Sequence, residues 1–325
     1  MKGSIARTRI LLVLCMLALT VPRGSAGQGP VFKSTVEMVA LTVTVTDGKG
    51  RCVSGLTNGD FVVFEDGIQQ TVSLFGSDEI PVDVALVLDT SGSMIDTLPV
   101  AKEAARALVD RLRRGDRAAV IDVNTSTRIP QSFTEDRASI AAAIGAVSAK
   151  GNTALYDGVY TSLHEFERLR RKQHQLRRHA LVVLSDGFDT ASHVSFDDVT
   201  QFARALDVTI YTIALRTGPS LSAFRETLTA RATWEMRTLA FETGGLVFFP
   251  TKAVELQDIY NTIARELTHQ YALGYVPSAP RHDRPFRRVA LKLVPPQQGI
   301  PRTRSGYIPN GTGLYRIPRS SSAER

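Results

Sequence analysis

The stretch Val82–Thr97 reads VDVALVLDTSGSMIDT, and its apolar run ends abruptly in Asp89, Ser91 and Ser93. One carboxylate and two hydroxyls stand at every second position, with no histidine or cysteine nearby in sequence. All three are hard oxygen donors, a set that suits Mg²⁺ or Mn²⁺ and disfavours zinc and copper. A cation needs more ligands than this turn supplies. Two further candidates stand at comparable places: Thr153 in KGNTALYDG, and Asp186 in ALVVLSDGFDT, which follows an apolar run just as Asp89 does.

The elements that must position these residues are legible in the pattern. Val84–Leu88 is a short continuous apolar run, the mark of a strand covered on both faces. Pro99–Arg114 then carries apolar residues at helical spacing, so the polar cluster sits on a strand-to-helix turn, at the carboxyl edge of a parallel sheet where ligands bind. Further strands are predicted at 118–123, 180–184 and 208–215. They alternate with helices at 137–147, 155–169, 196–206, 227–243 and 254–267, which gives a doubly wound α/β domain over 81–269. The flanks read differently. Val36–Asp47 alternates as a half-buried strand, and 61–65 and 68–75 flank the hairpin turn Asp66-Gly67. Strands are also expected at 271–276 and 288–294. Residues 28–80 and 270–309 are each too short to bury much core. They are expected to pair as one all-β domain, with the α/β domain inserted between them and Val39, Leu41, Phe61 and Val63 sharing a core with Leu273, Val289 and Leu291. Residues 310–325 are polar and expected to be disordered.

The D-x-S-x-S turn, the downstream Gly-x-Thr-x-Leu and the strand ending in Ser-Asp-Gly together resemble a von Willebrand factor type A domain with a Rossmann-like sheet. The five positions are similar to that family's metal-ion-dependent adhesion site, which implies Asp89, Ser91, Ser93, Thr153 and Asp186 as metal ligands. The flanking text VTDGKGRCVSGLTNGDFVVFEDGIQQ, LAFETGG, IARELTHQYALGY and RSGY resembles a bacterial secreted group of von Willebrand A-related proteins. The resemblance implies carboxylates acting partly through water, an open coordination position for a partner's Asp or Glu, and a threonine that engages the ion directly in the ligand-competent form. Two positions depart from the pattern: Val123 stands where an aromatic is common, and Asp122 puts a carboxylate inside a strand.

Competing readings of LDTSG fail on spacing. The aspartic-protease turn needs Gly directly after Thr, and a dehalogenase-type phosphatase needs a second Asp where Ser91 stands. Helix capping by Asp89 and Ser93 leaves Thr153 and Asp186 unexplained. The Arg-Gly-Asp at 114–116 falls where glycine ends a helix and reads as coincidence. The basic run Arg168–His179 reads as a solvated connection, and the six histidines, without ligand spacing, as surface residues. Cys52 reads as a surface thiol in a turn. Asn124-Thr125-Ser126 and Asn310-Gly311-Thr312 match a glycosylation pattern.

The N-terminus has Lys2, Arg7 and Arg9, the apolar stretch Ile10–Val21, then Gly24 and Ala26. Residues 1–27 therefore read as a secretory signal peptide. Cleavage would remove Lys2, Arg7, Arg9 and Arg23 and no acid, taking the formal charge from +7 to +3, so basicity gives no case for nucleic acid. Cys15 would leave as well, and Cys52 alone cannot make an internal disulfide. The expected product is a secreted protein, periplasmic or extracellular, with no transmembrane segment after signal cleavage. It is expected to be a non-enzymatic binding module that engages an acidic group of a protein partner through Mg²⁺ or Mn²⁺. A metal-dependent hydrolase and a structural envelope component are the alternatives, and the oligomeric state stays open.

Overall fold

A computed structural model describes residues 35–77, 80–172, 175–186, 189–215, 223–278, 285–295, 297–309 and 314–318. The expected signal peptide, His174, His282, the Asn310 glycosylation pattern and most of the tail lie outside the described residues. In chain order the structure opens with β1 (Thr35–Thr46), β2 (Phe61–Glu65), β3 (Ile68–Gln70) and β4 (Val72–Gly76). The next elements are β5 (Val82–Asp89), α1 (Leu98–Asp110), β6 (Arg117–Val123), β7 (Thr127–Thr134), α2 (Arg137–Ala146) and α3 (Leu155–Lys172). Then come β8 (Arg178–Ser185), α4 (Phe196–Ala205), β9 (Thr209–Ala214), α5 (Ala223–Thr243), β10 (Val247–Phe248) and α6 (Leu256–Thr268). β11 (Tyr271–Tyr275), β12 (Arg287–Leu293), β13 (Ile300–Arg302), β14 (Gly306–Tyr307) and β15 (Leu314–Pro318) follow. The last strand, which pairs with β1, occupies part of the tail expected to be disordered.

The central sheet runs β10-β9-β8-β5-β6-β7. It is parallel except for β7, which pairs antiparallel with β6. Successive residues of β5 feed opposite cores. Val84, Leu86 and Leu88 pack with α1, α2 and α6, while Ala85 and Val87 pack with α3, α4 and α5. A strand sandwiched in this way needs apolar residues on both faces, which is why every residue of β5 is buried. From β5 the chain passes to β6 on one side and later returns to β8 on the other, so the strand order reverses at the β5/β8 boundary. Ligands of open α/β sheets bind at that point, outside the carboxyl ends.

The flanks combine into two antiparallel sheets. One is built on β13-β1-β11-β4 and the other is β14-β12-β2-β3. Val39, Leu41, Phe61, Val63, Leu273 and Val289 share one core, with Leu291 packed against it. The β2–β3 turn is a two-residue loop with Glu65 opposite Ile68 and positive φ at Asp66 (49°) and Gly67 (85°). That conformation matches the twist of a hairpin. The strand expected over 68–75 is two strands, because the chain leaves one sheet after Gln70 and enters the other at Val72, where β4 pairs with β11. β1 is not half-buried: Met38 to Val45 are all buried. Its second face is covered too: the Thr42 N–H donates to Asp207 of the α/β part, and the Arg304 guanidinium, from the C-terminal flank, donates to the Ala40 carbonyl at 2.7 Å.

The two junctions between the α/β part and the β sheets are tied by one side chain. Arg178, buried at the start of β8, donates to the carbonyls of Ile80 (2.9 and 2.6 Å) and Leu267 (2.9 Å). Arg177 joins Arg117 on the buried Asp83 carboxylate. His179 is buried beside the same acid, and burial pushes its pKa down to about 4. The end of the basic run is thus an interior clasp and not a solvated connection.

The core of the β sheets carries a buried charge. The Glu65 carboxylate accepts from the hydroxyls of Tyr275 and Tyr307 (2.8 Å each) and pairs with Arg287. Removing one partner of a buried ion pair leaves the other uncompensated. Glu65→Ala should therefore cost about 3–5 kcal/mol, measured as the loss of unfolding free energy in urea.

Candidate metal centre

Asp89 is the last residue of β5 and is fully buried. Its Oδ1 accepts the Ser91 N–H at 2.9 Å, and its Oδ2 accepts the Ser185 hydroxyl at 2.6 Å. Both donors are neutral. Ser91 Oγ lies 3.0 Å from Ser93 Oγ, so the three residues of the turn form one contiguous group of oxygens. β5 and β8 pair with Leu88 beside Leu184, which sets Asp89 level with Ser185 and brings Asp186 to the same edge. The charge of Asp186 acts on Asp89, and Asp186 Oδ1 is buried with no hydrogen-bond partner.

Thr153 is brought in through the backbone. The Lys150 N–H donates to the Thr90 carbonyl (2.7 Å), and the Gly92 N–H to the Gly151 carbonyl (2.9 Å). Gly151 is required here: its φ is +69°, and a Cβ would stand 2.3 Å from Thr125 Oγ1. The loop after Asp186 closes the arrangement. Thr190 exchanges bonds with the Thr153 peptide, its N–H reaching the carbonyl at 2.9 Å and its hydroxyl accepting the Thr153 N–H at 3.1 Å. Asp189 and Ser192 accept the N–H groups of Tyr156 (3.3 Å) and Asp157 (3.0 Å), which satisfies amides that a helix start leaves without partners. The loop that carries Asp186 therefore caps the helix that follows Thr153.

The residues that carry these two carboxylates and three hydroxyls thus lie on loops joined at one edge of the sheet, and their donor types suit a hard divalent cation. Among the described residues no group of three or more His, Cys, Asp or Glu side chains could hold a metal, as expected where hydroxyls supply most of the donors. The unpartnered Asp186 oxygen and an Asp89 carboxylate held by neutral donors alone fit a cation bound between them. Two contributors escaped the sequence reading. Ser185 was visible as the residue before Asp186 in LSDG. Thr190 carried no signal, since its role depends on how the loop folds back. Asn124, read as a glycosylation position, is buried and bonds Thr90 Oγ1 through its side chain. Asp116 of the Arg-Gly-Asp tripeptide is buried and accepts the Val82 N–H at 2.8 Å, which gives it a structural role.

A sequence profile of the von Willebrand factor type A domain matches residues 83–262, more than half of the chain. The chain belongs to the von Willebrand factor type A domain family. Uncharacterized protein sll0103 of Synechocystis sp. is 38% identical to this von Willebrand A protein over 89 residues, 26% of this chain and 21% of that protein. The chain thus spans about a fifth of the length of that relative. Among solved structures, a von Willebrand factor type A protein from Catenulispora acidiphila is 14% identical with a TM-score of 0.49, covering 88% of this chain and 74% of that one. Proximal thread matrix protein 1 from the mussel byssus, with a zinc-occupied MIDAS motif, is 19% identical with a TM-score of 0.48, covering 61% and 50%. The vWF domain of the pilus tip protein Mfa5 from Porphyromonas gingivalis is 16% identical with a TM-score of 0.46, covering 57% and 94%.

Burial raises the Asp89 carboxyl in this von Willebrand A domain from the ordinary 3.8 to about 6, against the lowering effect of the Ser185 and Ser91 bonds and with help from the Asp186 charge. The folded, cation-free protein therefore holds a proton that the unfolded chain releases, and its stability falls as pH rises from about 4 to 6. Asp89→Asn removes the charge and keeps the shape. It should stabilise the cation-free protein at pH 7.5 by about 3 kcal/mol and leave it nearly unchanged at pH 4, read from urea unfolding at both pH values.

Proposed function

We propose that this protein is an exported binding module. It holds Mg²⁺ or Mn²⁺ through Asp89, Ser91, Ser93, Thr153 and Asp186 and captures an acidic side chain of a partner protein. The observation that carries this reading is the buried Asp186 oxygen without a hydrogen-bond partner, beside an Asp89 carboxylate whose bonds come from neutral donors. A bound divalent cation supplies positive charge with a coordination position left for a partner's carboxylate. The chain's part is to hold the ligands. Asp89 and Asp186 contribute two negative charges, Ser91, Ser93 and Thr153 add uncharged oxygens, and Ser185 orients Asp89. Weak charge donation from hydroxyls leaves the cation attractive to a third carboxylate.

Membership of the von Willebrand A family supports binding over hydrolysis, since these domains are generally interaction modules that bind proteins. Export is proposed from the charged and apolar pattern of residues 1–27. Among the described residues no helix is long and apolar enough to cross a membrane.

Isothermal titration with Mn²⁺ and Mg²⁺ at pH 7.5 tests the reading. The wild type should bind one ion, and Asp89→Ala and Asp186→Ala should each abolish the heat, because either removes half of the neutralising charge. Protons compete for Asp89, so affinity should drop as pH falls below about 6. Absence of heat and of thermal stabilisation at millimolar metal in the wild type would overturn the reading.

A further inference from the structure

Asp122 is the odd residue of β6, a carboxylate between the buried Ile121 and Val123 and itself only 3% exposed. It faces neither solvent nor the cation ligands. Its Oδ1 accepts the hydroxyl of Thr90, and its Oδ2 accepts from Arg128 Nη2 at 2.9 Å. Arg128 stands opposite it on β7, with half of its side chain in solvent. Thr90 is the residue between Asp89 and Ser91, and it is held on every polar atom. Its N–H donates to the Val123 carbonyl (2.6 Å), its carbonyl accepts from Lys150 (2.7 Å), and its Oγ1 also accepts from Asn124 Nδ2 (3.2 Å).

We propose that Asp122 is a positioning residue for the cation loop, acting through Thr90. The inference rests on the cation reading above. A turn with ligands at alternate positions must point the residue between them the other way, toward β6. Whatever fixes that side chain fixes the rotation of the peptide that carries Asp89 and Ser91. The Val123 carbonyl, a neutral acceptor, also lies 3.2 Å from the Thr90 hydroxyl, but the Asp122 contact is the shorter one, and the carboxylate takes the proton with one oxygen while Arg128 neutralises it through the other. Arg128 offsets the cost of burying the charge. Groups that orient metal ligands from behind typically change affinity by 10–100-fold when removed.

The test is a double-mutant cycle read by Mn²⁺ titration. Asp122→Ala and Thr90→Val should each weaken Mn²⁺ about 10–100-fold, and the double variant should be no weaker than either single one, since both break the same bond. Thr90→Ser keeps the hydroxyl and should stay within threefold of wild type. Wild-type affinity in Asp122→Ala, or losses that add in the double variant, would overturn the proposal. Should Asp122→Ala fail to fold, Asp122→Val, which suits a buried strand, takes its place, with the same weakening expected and wild-type affinity overturning the proposal. A wild type that binds no cation would defeat the binding reading instead. The positioning claim is then read from hydrogen exchange in the metal-free protein. The Thr90 and Lys150 amides should exchange faster in Asp122→Ala and Thr90→Val than in wild type and Thr90→Ser, with the α1 amides unchanged. Equal exchange at Thr90 and Lys150 would refute it.

Discussion

A carboxylate with no access to water has to be answered by something, and in this protein the answer at Asp89 is deliberately incomplete. The strand that ends in Asp89 is buried along its whole length, so the charge is carried to the carboxyl edge by apolar text that cannot itself neutralise it. Two neutral donors hold its oxygens, and the nearby Asp186 charge works against it. Contrast three other buried acids. Asp83 receives two arginines, Glu65 an arginine and two tyrosines, and Asp122 an arginine and a threonine. Those are closed accounts in which a fixed cation meets each acid. The β5/β8 edge is left electrostatically open, and the three loops around it are cross-bonded so that the openness does not become disorder.

The cross-bonding ties the loops through their backbones. Each is bound to the next through backbone groups, from Thr90 to Lys150, from Gly151 to Gly92 and from Thr153 to Thr190. A main-chain lattice of this kind keeps side chains free for ligand work. It also makes the small residues around it obligatory, Gly151 above all.

Elements whose two faces meet similar surroundings were legible from sequence. β5 and β8 carry continuous apolar runs at 84–88 and 180–184, and β2 spans Phe61–Glu65 as the sequence predicts. The errors fall where a residue's partner comes from far along the chain. β7 is the exception, since its partner β6 directly precedes it: Pro130 hides the strand, and as an edge strand it tolerates a residue that cannot complete the ladder. The polar face of β1 looked solvent-facing because threonines suit either environment, and only the α/β part packed against it decides. Arg177, Arg178 and His179 read as solvated because a run of bases usually is; Asp83 and the carbonyls of Ile80 and Leu267 lie 90 or so positions away. The ligand set was readable because its chemistry is written in residue type and spacing. The supports, Ser185, Thr190 and Asp122, show themselves only once β5, β6 and β8 lie side by side.

The Arg178 clasp has a mechanical meaning. The α/β part is entered just before β5 and left just after α6, and one guanidinium grips carbonyls on both sides of that doorway. A pull applied at the carboxyl edge, where Asp89 and Asp186 stand, runs down β5 and β8 to the opposite end of the sheet. There it reaches two strands of covalent chain lying abreast, and each carries part of the tension. Both crossings are held by the same guanidinium, so a load on one is shared with the other through Arg178. A domain suspended from a double tether of this sort divides a load that a domain strung on a single linker carries on one strand.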